Sequence, residues 1–265
     1  MLPPPPALPT DMLPPPPALR PLTARPQGRL QRRFLVLHAG LPLAGLALAS
    51  ALLIGLQLDQ WLADALFRLE GGHWMLRHAW ITEQVLHRGG RLLSMLAWLL
   101  VALALLRTWL HPVAAPLRRA LACLLLAVAL SSTTIALLKH ASGVHCPWDI
   151  ARYGGAYTTA RPADAAAAPG ACFPPGHAGP GYAWVALYFA ALLYRPQWRW
   201  WGMGIGLIAG LAFGLAQQLR GAHFLSHDVW SLAICWLVSL ALYLGMRGAT
   251  SGHASASGHT AETRA

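Results

Sequence analysis

The chain has 265 residues, of which 56% are apolar and only 11% charged, and its formal net charge is +11. Soluble domains carry roughly 25% charged residues, so the composition excludes an ordinary soluble domain and points to an integral membrane protein. The basic residues stand in short clusters beside apolar runs rather than along one face, which is the positive-inside pattern and argues against a nucleic-acid partner.

Residues 1–33 are proline-rich and basic, with MLPPPPAL at position 1 repeated at position 12. A proline run cannot form a helix and favours an extended, solvated chain, so this segment reads as a disordered tail. A ligand for a proline-binding module is the functional alternative. No apolar core with a small-residue cleavage site follows closely, which argues against a signal peptide. Six apolar runs of about 17–25 residues come next, at 34–58, 92–110, 120–138, 178–194, 202–219 and 229–246. The fifth holds Gly202, Gly204, Gly206, Gly210 and Gly214, small residues that let helices approach closely. The expected architecture is all-α, a six-span helix bundle over 34–246 followed by a disordered cytoplasmic tail at 247–265.

Arginines set the orientation. Arg20, Arg25, Arg29, Arg32 and Arg33 precede the first run, Arg107, Arg118 and Arg119 flank the second connection, Arg195 and Arg199 lie in the fourth, and Arg247 follows the last run. These regions and both termini are expected to be cytoplasmic. The connections at about 59–91, 139–177 and 220–228 then face outward. In the first of them, Trp61, Leu62, Ala65, Leu66 and Leu69 have helical spacing, which predicts an amphipathic helix on the outer surface.

Three outward stretches carry the chemistry: KHASGVHCP at 139–147, FPPGHA at 173–178 and RGAHFLSHD at 220–228. Lys139 ends the third run, where it either snorkels to the interface or binds an anion. Gly176 and His177 open the fourth run. A helix start there presents free N–H groups to an anion, with His177 as a proton donor or a simple cap. Arg220, His223 and His227 are spaced i, i+3 and i+7, which places them on one face if the helix continues. An arginine holds phosphate through a bidentate fork, and a histidine can attack phosphorus while Asp228 or its neighbour fixes the tautomer. Zinc is the competing reading for His223 and His227, but HExxH is absent and Arg220 would repel a cation. No metal or other cofactor is expected.

These stretches resemble the three signature motifs of the type 2 phosphatidic acid phosphatase and vanadium haloperoxidase superfamily, KxxxxxxRP, PSGH and SRxxxxxHxxxD. The resemblance runs from Lys139 to Asp228. It matches Lys139 and Pro147 to the first motif, Pro174, Gly176 and His177 to the second, and His223 to the nucleophile of the third. It departs at Cys146 and Gln217, where the family has arginine, at Pro175 in place of serine, and at His227 in place of the aspartate, with Asp228 one residue beyond. Arg220 lies about one helical turn from the missing arginine. A disulfide between Cys146 and Cys172 is expected if the loop faces an oxidising compartment, and it would hold the first motif beside the second. Arg152 and Arg161 in the same loop are candidates to replace the missing charge.

The resemblance implies metal-independent hydrolysis of a lipid phosphate monoester or pyrophosphate at the outer face of a bacterial inner membrane. His223 would be the nucleophile, His177 the acid, His227 or Asp228 the orienting group, and Lys139, Arg220 and the Gly176 amide the phosphate binders. Phosphatidate, phosphatidylglycerophosphate, undecaprenyl pyrophosphate and lipid A phosphates are the substrates it suggests. The alternatives are a lipid phosphotransferase with the same site, and a non-catalytic lipid-phosphate-binding or transport protein that kept the scaffold.

Overall fold

The computed structural model describes residues 25–160, 170–176 and 179–259. Five of its helices are long and apolar enough to cross a membrane: α1 at Gly28–Gly55, α3 at Ile81–Leu110, α4 at Ala115–Ala141, α6 at Pro196–Leu219, and the Leu225–Arg247 part of α7, whose backbone stays helical to His259. A short helix, α2, fills Leu58–Leu69. The remaining apolar run forms α5 at residues 179–194, in pieces of 4, 3 and 9 residues with a tighter turn at Ala183–Val185. Its rise of about 24 Å falls short of the roughly 30 Å hydrocarbon core. Among the described residues, the six spans expected are therefore five long helices and one short, interrupted helix. α5 need not match a bilayer because protein surrounds it: Ala183, Val185, Ala186 and Phe189 are fully buried.

Helix bounds also outrun the apolar runs. Helical backbone begins at Arg25 rather than after residue 33, α3 begins at Ile81 rather than 92, and the C-terminal helix continues past 247. Backbone N–H and C=O groups keep pairing along a helix after the side chains turn polar, and hydropathy sees only the side chains. Residues 1–24, and with them the proline repeat, lie outside the described residues.

Two packing devices position the bundle. The first is the glycine row of α6. A Cβ at Gly202 would lie 2.8 Å from Leu187 Cβ, at Gly206 2.6 Å from the Trp184 carbonyl carbon, and at Gly210 against the Tyr182 ring, whereas one at Gly204 would meet nothing. One face of α6 thus presses on α5, as the small residues predict. The second is Pro42 in α1. Proline has no N–H and its ring crowds the carbonyl four residues back. A widened turn at Val36–Gly40 absorbs the conflict, and the freed carbonyl of His38 accepts from Trp236 Nε1 of α7 at 2.6 Å. Between α3 and α5, the Ser94 hydroxyl donates to the Pro180 carbonyl at 3.0 Å and accepts from Trp184 Nε1 at 2.9 Å. The core itself joins Ala120, Leu124, Ala127, Val128 and Ile135 of α4 to Ala183–Ala186 of α5 and Cys235 of α7. Large apolar side chains such as Leu48, Leu93, Leu100 and Leu103 remain exposed on α1 and α3, as lipid-facing helices require.

Candidate functional site

The C-terminal end of α4, the start of α5 and the turn between α6 and α7 meet at one end of the bundle. This brings the three stretches together. A Cβ on Gly176 would lie 3.5 Å from Cδ and 3.7 Å from Nζ of Lys139, which joins the first stretch to the second. Cys146 and Cys172 form a disulfide with Cα atoms 5.2 Å apart, and Cys172 N–H donates to the Val144 carbonyl at 2.9 Å. Trp148 N–H donates to the Gly221 carbonyl at 2.9 Å, joining the first to the third. Ser231 Oγ, in α7 just after the third stretch, reaches the Pro175 carbonyl at 3.5 Å, tying that helix to the second. Gly221 has a φ of +68°, and the Trp74 ring fills the space a Cβ would need, so both conformation and contact demand glycine there.

His223 and His227 are both buried, with ring centroids 5.8 Å apart. His227 also packs edge-on against Phe173 at 5.2 Å and Phe224 at 5.5 Å. Asp228 is 2% exposed, lies against Gly214 and accepts from Gln218 Nε2 at 2.6 Å. Arg220 turns back along its own helix: Nη1 lies 3.4 Å from Gln217 Oε1 and Nε donates to the Arg77 carbonyl at 2.8 Å. Burial pushes its guanidinium below the ordinary value, while Glu83 opposes this. His177 lies outside the described residues, as does Arg161.

Arg152, a candidate to replace the missing charge, is already paired with a carboxylate. Its guanidinium is paired with both oxygens of Asp64 in α2, and Tyr153 Oη donates to the same carboxylate at 2.9 Å. The Arg152 partner holds Asp64 below the usual carboxylate range. A charge committed in this way ties Arg152 to α2, on the wall of the cavity that also holds His227. The predicted amphipathic helix exists, and its buried side, Asp59 and Ala63, faces the site loops. Asp59 Oδ1 accepts from Ser226 N–H at 2.9 Å, satisfying a free donor at the start of α7. Burial pushes the Asp59 carboxyl up despite that bond. Sequence reasoning missed Asp59, Gln218 and Trp148. Only Asp59, the first acidic residue after the first apolar run, left a local signal.

Two cavities flank the histidines. One of about 690 Å³ runs from Leu53 and Ile54 of α1 past Asp59, Arg152 and Phe173 to His227 and Trp230. The other, about 10 Å³, lies between His223, Pro147, Gln218 and the α2 residues Leu62, Ala63 and Leu66. Among the described residues, one cluster has metal-ligand proximity, Cys146, Asp149 and Cys172. Its sulfurs are bonded to each other, and Asp149 Oδ2 accepts from Cys146 N–H at 3.2 Å. A lysine beside a glycine amide, two imidazoles and a buried carboxylate suit an anionic group and proton transfer.

No curated protein and no solved structure matches the chain. Residues 120–251 match the family model described as PAP2 superfamily. The match runs from α4 into α7 and contains all three stretches. Members of that superfamily are generally phosphatases, which supports a phosphoric ester hydrolase here. On its convergent stretches and this match, the chain belongs to the PAP2 superfamily.

Proposed function

We propose that the chain hydrolyses a lipid phosphate monoester or pyrophosphate at the outer face of the bacterial inner membrane, without a metal, through a phosphohistidine. The observation that carries this reading is the convergence of Lys139, Gly176 and His223 from three separated stretches on one end of a bundle of apolar helices. His223 attacks phosphorus and the P–O bond to the lipid breaks. The leaving oxygen takes a proton from His177. Water then attacks the phosphohistidine and gives its proton back to His177, the P–N bond breaks, and inorganic phosphate leaves with His223 regenerated. Lys139 and the Gly176 amide neutralise charge on the phosphoryl oxygens. His227 or Asp228, both in the first turn of α7, orients His223, and the 5.8 Å ring contact favours His227.

The 690 Å³ cavity favours a lipid. It begins at Leu53 and Ile54 on a lipid-facing helix and ends at His227, whose ring lies 5.8 Å from that of His223, a path by which tails stay in the bilayer while a head group reaches His227. The arginine distribution favours the outer face, and the disulfide favours an oxidising compartment there.

Phosphate release from a panel of lipid phosphates by the full chain in detergent, with EDTA present and His223→Ala in parallel, tests the reading. Release that survives EDTA and vanishes in the variant supports it. Retained activity in His223→Ala overturns the assignment of the nucleophile. Transfer of phosphate to an added lipid alcohol in place of release makes the chain a phosphotransferase.

A further inference from the structure

Two positions where the family motifs carry arginine hold Cys146 and Gln217 instead. The structure brings one guanidinium to Gln217 and another to the ring two residues after Cys146. Arg220 Nη1 lies 3.4 Å from Gln217 Oε1. Arg77, in the connection between α2 and α3, lies over the Trp148 ring with Cζ 4.3 Å from its centroid, two residues after Cys146. The two arginines are also joined, since Arg220 Nε donates to the Arg77 carbonyl at 2.8 Å. We propose that Arg77 and Arg220 form a two-guanidinium clamp for the phosphoryl oxygens, Arg77 standing in for the arginine absent at 146 and Arg220 for the one absent at 217. This inference rests on the phosphatase reading above.

The surroundings favour an anion between them. Neither arginine is ion-paired with a carboxylate among the described residues. Glu83, the nearby acid, is held by Arg88 at 3.1 Å and faces His78 at 3.6 Å. Arg220 is 7% exposed, and its bonds to Arg77 and Gln217 use two of its five N–H donors. Burial pushes the Arg220 guanidinium down, Glu83 opposes this and Arg77 adds to it, so an anion bound at Arg220 would offset both burial and the like charge. The place borders the proposed nucleophile. Pro147 and His223 share the walls of the small cavity, and Trp148, which carries Arg77, is tied to Gly221 two residues before His223.

The competing explanation is purely structural: Arg77 could staple its loop to Trp148 and hold no phosphate. Orthovanadate separates the two, because it binds as a phosphoryl mimic without turnover. Titration of full-length protein in detergent by calorimetry should show vanadate affinity falling about 10- to 100-fold in Arg77→Ala and in Arg220→Ala, the loss of one or two charge-assisted hydrogen bonds. Arg77→Lys keeps the charge on Trp148 but not the fork, so its affinity should fall between those of wild type and Arg77→Ala. Gln217→Arg should restore binding to Arg220→Ala, a rescue that a structural staple does not produce. Wild-type affinity in an Arg77→Ala protein that melts normally overturns the clamp. Full affinity in Arg77→Lys together with a lowered melting temperature in Arg77→Ala also overturns it. Wild-type protein that neither binds vanadate nor releases phosphate overturns the clamp and the phosphatase reading together.

Discussion

Gly176→Ala separates function from fold at the contact between the first two stretches. The added methyl would sit 3.5 Å from Cδ and 3.7 Å from Nζ of Lys139, both ordinary contact distances. Gly176 is not among the positive-φ glycines, so alanine meets no backbone strain, and stability should change by less than about 1 kcal/mol. The methyl nevertheless occupies the space between the backbone and the ammonium group, where a phosphoryl oxygen would take bonds from both. Losing one hydrogen bond to a charged group costs about 1.5–3 kcal/mol, so kcat/KM should fall about 10- to 150-fold. The assay pairs initial rates of phosphate release with a tryptophan-fluorescence melt in detergent. A variant with wild-type kcat/KM would refute the placement of the phosphoryl group between Lys139 and Gly176. A variant that melts far below wild type would refute the steric reasoning.

The glycine row of α6 predicts a contrast between neighbours. In Gly206→Ala the methyl meets the Trp184 carbonyl carbon at 2.6 Å and Val185 Cα at 2.7 Å, backbone atoms that cannot swing away, so the bundle should lose about 1–3 kcal/mol. Gly204→Ala, with nothing within 4 Å, should melt at or above wild type, and equal melting of the two variants would contradict the packing. Asp59 predicts a pH dependence. Its carboxyl is raised above 3.8 by burial, so the folded chain keeps a proton that the unfolded chain releases, and stability falls as pH rises from 3.8 through the raised value. Asp59→Asn, whose side-chain oxygen can still accept from Ser226, should lack that fall. A difference in melting temperature between wild type and variant that stays constant from about pH 4 to pH 8 would count against it.

What could be read from the sequence was whatever is periodic or contiguous. Long apolar runs gave the helices, because burial in lipid or protein needs unbroken apolar surface. The spaced glycines marked α6 as a helix built for close approach, because only a missing Cβ lets backbones meet, but not that α5 would be its partner. Local motifs marked out the three stretches that meet at one end of the bundle. What escaped was set by partners distant in sequence. Arg152 reads as a spare cation near the first motif, yet Asp64 claims it from 88 positions away. Asp59 reads as a loop acid and instead caps Ser226, 167 positions on. The short, interrupted α5 looks like a span by composition. Its burial within the bundle, which hydropathy does not see, sets it apart from the five long helices.

The site's departures from its family motifs also follow from where it is built. Gln217 lies near the end of α6, so an arginine one turn later can reach back along the same face, and the Arg220 side chain does so. No such slide is open at 146. That position lies in an irregular connection, and its side chain is bonded to Cys172. A cysteine there ties the first stretch to the second but removes a cation from the same spot, and the residues beside it in sequence, His145 and Pro147, offer no guanidinium. A replacement has to come from another loop. The 70–80 connection is within reach because Trp74 packs on Gly221 while Arg77 packs on Trp148. On this reasoning the disulfide and Arg77 form one exchange, in which a covalent tie took the arginine's place in the chain and a distant arginine took over its charge. The clamp and the disulfide should then fail independently. Reducing the bond should loosen the 139–176 region and leave vanadate affinity dependent on Arg77, whereas removing Arg77 should weaken vanadate binding with the bond intact.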